Sequence, residues 1–145
     1  MSGNPLRVLP HRAPMVMIDS FEVESPDRAR AVKTFAPGSY CAGGPVVDQG
    51  ALIECIAQTV AALYGSRVAS AGGPPPAGML VGVNDFGFHG VARVGVPLEI
   101  AVEVTRRLPP FCLAAGSVHQ AGNLIASGGM KFHISEGTGG GIEKA

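Results

Sequence analysis

Charge is scarce in this chain. Asp, Glu, Lys and Arg make up 15% of its 145 residues, against about 25% in an average soluble domain. The eleven bases and eleven acids cancel, so no basic surplus exists to hold a nucleic acid. A mean hydropathy of +0.28 with so little charge implies apolar surface covered by another subunit. Cysteine is scarce too. Cys41, Cys55 and Cys112 are an odd number without a CxxC pair, which argues against a disulfide framework and against a zinc site. Cys55 reads as a small core side chain rather than a nucleophile. No apolar run approaches the roughly 18 residues of a membrane span, and the N-terminus lacks the charged and apolar regions of a signal peptide. A soluble, cytoplasmic protein without a membrane partner is expected.

In place of charge the chain has one long apolar stretch. Residues 48–70 read as a helix with apolar side chains on almost every side, so packed protein must surround it. Asp48 is the candidate N-cap, a reading that outweighs a catalytic one. Leu52, Ile53, Ile56, Val60 and Leu63 form the broad apolar face. Glu54 and Gln58, one turn apart, share another face with Ala51, Ala61 and Ala62. A carboxylate buried on such a helix loses water that its partners must replace. Glu54 is therefore the first candidate for function; a structural carboxylate bonded to Gln58 or to a loop N–H is the alternative. Gln58 either orients Glu54 or is a plain polar group of the core.

The rest reads as strand and loop. Residues 1–8 are expected to be a loose lead-in, and the two prolines of LPHRAP rule out a helix interior. Segments 15–24 and 28–35 fit an antiparallel pair joined by a turn at 25–28. Gly and Pro mark 36–45 as a loop into the helix and 71–78 as the crossing to the next strand. Segments 79–90, 96–108, 111–120 and 123–135 then read as four strands, with a hairpin turn at Ala121, Gly122 and Asn123. Within the second of these, Ile100, Val102 and Val104 face one way and Glu99, Ala101, Glu103 and Thr105 the other. Residues 1–135 are expected to form one domain, and 136–145 a flexible glycine-rich tail. Two strands, a helix and four antiparallel strands make an α+β order in which one sheet buries one helix.

Two motifs carry a resemblance. LPHRAPMVMID and GGPVVDQGALIECIAQ resemble the opening and the loop-to-helix motif of the beta-hydroxyacyl-acyl-carrier-protein dehydratases, with Gly43, Pro45, Glu54, Ala57 and Gln58 in register. The likeness extends from about Leu9 to Ser135, and is closest to the divergent dehydratase-like proteins of aryl-polyene and polyketide-type gene sets. It implies the hotdog fold, a curved antiparallel sheet wrapped around a central helix and paired as a dimer. It also implies a 3-hydroxyacyl thioester of an acyl-carrier protein or CoA as substrate, with no cofactor. By the same resemblance, backbone N–H groups near Gln49 and Gly50 would hold the thioester carbonyl, and His89 would lie on a strand beside the substrate tunnel.

One departure stands out. Where the main family has its loop histidine, fourteen residues before the helix glutamate, this chain has Tyr40. The divergent group also lacks that histidine. Dehydration needs a base for the C2 proton, an acid for the departing hydroxyl and a donor to the carbonyl. Histidine suits the first task, whereas a tyrosine is a poor base and a usable donor. His11 is either a structural pin for the N-terminal loop or the substitute base. His119 and His133 are expected on sheet faces or the surface, and no pair has metal-ligand spacing. Arg93, Arg106 and Arg107 are either a solvated face or a contact for an acidic carrier or CoA phosphate. Three readings follow: a dehydratase with an altered acid/base set, a hotdog thioesterase using Glu54, and an acyl-binding subunit completing a heterodimer. The motifs favour the first. Leu52, Ile56, Phe86 and Phe88 are expected to close the tunnel.

Overall fold

The computed structural model of the protein describes residues 2–73 and 77–135. The expected tail, 136–145, lies outside the described residues, as does part of the 71–78 crossing. Seven strands, β1 (Ser2–Gly3), β2 (Ser20–Ser25), β3 (Arg28–Lys33), β4 (Ala77–Phe88), β5 (Leu98–Leu108), β6 (Phe111–Gln120) and β7 (Asn123–Ser135), form one antiparallel sheet in the order β1-β2-β3-β5-β6-β7-β4. The single α-helix among the described residues, α1 (Gln49–Ser70), follows β3 and precedes β4. Those strands are far apart in the sheet, so the helix carries the chain across its face.

The helix forms where expected and is covered as its composition demands. Leu52, Cys55, Ile56, Thr59, Val60, Ala62 and Leu63 are all buried against the sheet. In β5, Leu98, Ile100, Val102 and Val104 face the helix while Glu99, Glu103 and Thr105 face out, so the alternation reads correctly. Burying each large apolar side chain is worth about 1.5–3 kcal/mol, which is why this helix needs no amphipathic surface. Ala121 and Gly122, both at positive φ (52° and 82°), make the β6–β7 hairpin a two-residue turn between the paired Gln120 and Asn123. No helix among the described residues is long and apolar enough to cross a membrane.

The N-terminus departs from expectation. The lead-in is tied down: β1 pairs with β2, a 3-10 turn spans Pro5–Arg7, and Pro5, Val8 and Leu9 are buried. β2 also begins at Ser20, five residues later than the pattern suggested. The physical reason is local. The Met17 N–H donates to Gln58 Oε1 (2.7 Å) and the Met17 carbonyl accepts from Cys55 Sγ (3.1 Å). Side chains of α1 thus take the backbone groups that a neighbouring strand would have used.

Candidate active site

α1 sets Glu54 and Gln58 one turn apart, and Gln58 is fully occupied. Its Oε1 accepts from Met17, and its Nε2 donates to the Met15 carbonyl (2.7 Å) and to Glu54 Oε2 (2.9 Å). With 1% exposure, it orients the carboxylate and satisfies core polar groups at once. Just ahead of the segment it holds, the incoming chain places His11 over the same face. His11 Nε2 stands 3.8 Å from Glu54 Oε2, with side-chain exposures of 30% and 37%. That distance is an ion pair when the ring is protonated, and longer than a hydrogen bond. His11 Nδ1 is buried and bonded to none of the described residues.

Glu54 is therefore half-buried rather than enclosed in the core. It opens onto a cavity of about 130 Å³, whose walls include Pro10, Ala57, Val60, Ala61, Leu80, Phe132 and Ile134 beside His11, Glu54 and Gln58. Carboxylate, imidazole and amide stand together at one side of an apolar space. None of the four residues expected to close a tunnel lines this cavity. Leu52 and Ile56 are fully buried in the core, while Phe86 packs on Phe88, ring centroids 5.3 Å apart.

The loop before the helix carries the third catalytic candidate. Tyr40 is 52% exposed and outside the cavity lining. Its neighbour Cys41 sits at φ 68° with its carbonyl accepting the Asp48 N–H (2.9 Å). Partial burial, and then the charges of Asp48 and Glu54, push the Cys41 thiol above its ordinary range. Gly43, Pro45, Gln49 and Gly50 are exposed. Asp48 occupies the N-cap with extended backbone, yet its side chain makes no capping bond; its carbonyl accepts the Ala51 N–H (3.0 Å). The N–H groups of Gln49 and Gly50 are thus left free of the usual side-chain cap, at the positive end of the helix dipole.

This loop is itself braced. Val47 N–H donates to Ala92 O (2.8 Å) and Val94 N–H to Pro45 O (3.2 Å). Buried Gln120 holds the other side, accepting from Arg93 N (2.9 Å) and donating to the Arg93 and Val96 carbonyls (both 3.0 Å). Sequence reasoning missed Gln120; the available signal was an amide ending a strand just before a hairpin turn.

The other candidates are not gathered here. His89 is exposed, with Nε2 3.4 Å from Ser127 Oγ, and lies outside the cavity lining. His133 stands edge-on to Phe111 at 5.4 Å. Arg93 and Arg106 are exposed. Arg107 is engaged: it donates to Asp27 Oδ1 (2.7 and 3.1 Å), the Pro26 carbonyl (2.9 Å) and Tyr64 Oη (2.9 Å). Burial pushes the Tyr64 hydroxyl up to about 12. Cys55 is pushed up to about 12, chiefly by burial, and stays a protonated donor to Met17. No group of three His, Cys, Asp or Glu able to hold a metal occurs among the described residues.

Comparison with known proteins matches the chain to one family. A family model, ApeP-like, described as ApeP dehydratase, matches residues 4–134. No curated protein matches the chain. Among solved structures, the chain is similar to the dehydratase heterocomplex ApeI:P from Xenorhabdus doucetiae, with a TM-score of 0.79 and 19% identity over 97% of this chain and 96% of that one. It is also similar to a hypothetical thioesterase protein with coenzyme A from Streptococcus pneumoniae TIGR4, with a TM-score of 0.63 and 11% identity over 81% and 87% of the two chains. A third likeness, at a TM-score of 0.59 and 15% identity over 78% and 79%, is to thioesterase superfamily member 2 from Mus musculus. At these identities the structural likenesses carry the fold alone, and that fold is the hotdog.

Proposed function

We propose that this chain, which belongs to the ApeP-like family of dehydratases, removes water from a 3-hydroxyacyl thioester with His11 and Glu54 sharing the two proton transfers. The observation that carries this reading is the 3.8 Å approach of His11 Nε2 to Glu54 Oε2 beside an apolar cavity. In the reactive form the pair holds one proton. Neutral His11 takes the C2 proton through Nε2, the C2 electrons form the double bond, and the C3 hydroxyl leaves as water with the proton from Glu54. The pair again holds one proton afterwards, now on histidine, and returning it to the carboxyl resets the site. Gln58 keeps Glu54 turned towards the cavity through its bond to Oε2, and the free N–H groups of Gln49 and Gly50 suit the thioester carbonyl. The acyl end has the apolar walls of Ala61, Leu80 and Phe132 to cover it. The carrier is an acyl-carrier protein or CoA.

Two observations favour assembly with a second hotdog subunit. β4 is an edge strand with Met79, Val81 and Val83 at 65%, 47% and 42% exposure, an apolar edge that a lone protein leaves open to aggregation. The ApeI:P structure is a heterocomplex.

The test is mass spectrometry of the purified protein incubated with 3-hydroxyacyl- and saturated acyl-carrier-protein thioesters, beside Glu54→Gln and His11→Ala. Loss of one water, abolished in both variants, is the expected result. Loss of the acyl group would make the protein a thioesterase instead. Turnover that appears only on adding a second hotdog subunit would make this chain a partner and not a self-sufficient enzyme.

A further inference from the structure

We propose that Gly65 is a positioning residue for His11: its missing side chain lets the segment before the histidine lie against α1, and so fixes where the ring stands relative to Glu54. This rests on the His11–Glu54 reading above for its kinetic consequence, but not for its geometry. A glycine inside a 22-residue helix weakens it, having more backbone freedom to lose than alanine and nothing to pack. Here the gap is filled by backbone. A Cβ on Gly65 would overlap the Val8 carbonyl oxygen and come within 3.0 Å of the Val8 carbonyl carbon and Cβ. No flexible side-chain end can swing aside, so the segment itself would have to move.

That segment has little slack. Val8 and Leu9 are 6% and 1% exposed, and their N–H groups both donate to the Pro5 carbonyl (3.1 and 2.9 Å). Pro10 fixes its own φ. Arg12 Nη1 donates to the Leu9 and His11 carbonyls (3.0 and 2.7 Å), knitting the residues on either side of Pro10 together. Beyond them, Gln58 holds Met15 and Met17. His11 therefore hangs between two anchors on α1, Gly65 and Gln58, about 10 Å apart along the helix at 1.5 Å per residue. Moving the first anchor by the width of a methyl group moves the ring, and a displacement near 1 Å at a reacting group costs about 100-fold in rate.

The test uses the ring resonances of His11 in 1H–13C spectra, assigned with His11→Ala, at one fixed pH. In the wild-type background, Glu54→Gln is expected to shift them, because it removes a carboxylate 3.8 Å away. In the Gly65→Ala background the same Glu54→Gln change is expected to shift them much less. Dehydration by Gly65→Ala should fall roughly 100-fold, with KM for the thioester little changed and helical circular dichroism retained. A Gly65→Ala protein that keeps both the full Glu54 response and the wild-type rate overturns the proposal. Should Gly65→Ala not fold, Val8→Gly loosens the same anchor from the other side and must weaken the same response; an unaltered response there also overturns it. If Glu54→Gln proves to dehydrate normally, the catalytic reading of the pair falls, while the ring spectra still decide the role of Gly65.

Discussion

Gln58 Nε2 lies 2.9 Å from Glu54 Oε2, while Oε1 of the same side chain accepts the Met17 N–H at 2.7 Å. One amide thus couples the direction of the carboxylate to the position of the chain that delivers His11. Replacing it by leucine keeps the volume and strands the Met17 N–H and the Met15 carbonyl without partners. Each buried polar group left unsatisfied costs about 1–3 kcal/mol. Gln58→Leu should therefore lower the urea midpoint with little change in slope, and lower dehydration beyond what the stability loss explains. A midpoint equal to wild type would show that water replaces the amide, and that Gln58 is not the tie described here.

Gln120 acts at the other border of the site. Its three hydrogen bonds hold residues 93–96, and those residues and Ala92 hold Pro45 and Val47 through backbone bonds. Gln120→Leu is expected to speed hydrogen exchange at the Val47 and Val94 amides by about tenfold or more, the exchange equivalent of losing roughly 1.4 kcal/mol of local protection. Amides in the middle of β5 and β6 should be unaffected. Uniformly faster exchange across the sheet would instead make Gln120 a residue of global stability only.

Alkaline pH should unfold the protein through its buried thiol. Burial raises Cys55 from its ordinary 9.0 to about 12. Between those values the unfolded chain has released a proton that the folded one keeps, so stability falls as pH rises. Below pH 9 the contribution is fully present and constant. The slope reaches at most about 1.4 kcal/mol per pH unit for one group. Tyr64, raised by burial from 10.0 to about 12, adds to the fall in the upper part of the window. Cys55→Ser retains a donor for the Met17 carbonyl but does not titrate there. Urea melts under reducing conditions from pH 8 to 11 should show a shallower decline for the serine variant. An equal decline would assign the titration to Tyr64 and the other thiols.

How far the sequence foretold this arrangement differs from element to element. α1 and β5 were legible because burial acts on whole faces: an all-apolar helix must be covered, and Ile100, Val102 and Val104 alternate with Glu99, Ala101, Glu103 and Thr105. Glu54 and Gln58 were legible as a pair because spacing on a helix fixes neighbours. The start of β2 was not, since Met15 and Met17 look like strand residues and only the folded chain shows that Gln58 and Cys55 take their backbone groups. The course of the loop past Tyr40 was not legible either, because it takes a left-handed turn at Cys41, which residue type did not announce. Close backbone approaches were invisible for the same reason: a glycine in a pattern does not say what fills the space it leaves.

Gly116 is a second such glycine, its space filled by a side chain. It lies in β6 opposite Gly128 of β7, and a Cβ placed on it would overlap Ile56 Cγ2 and come within 3.3 Å of Ile56 Cδ1. Ile56 is fully buried, two residues beyond Glu54 on the helix. The glycine therefore sets how closely α1 approaches the sheet, and with it the depth at which Glu54 meets the cavity. Gly116→Ala should destabilise by about 1–3 kcal/mol through overpacking. Ile56→Ala alone should cost about 2–5 kcal/mol through the cavity it leaves. Since the added methyl occupies part of the space vacated by Ile56, the double variant should be more stable than the sum of the two losses predicts, by about 0.5–3 kcal/mol. Denaturation of the four proteins closes the cycle. Strict additivity would mean that the helix and sheet shift apart freely, and that the spacing of α1 is set elsewhere.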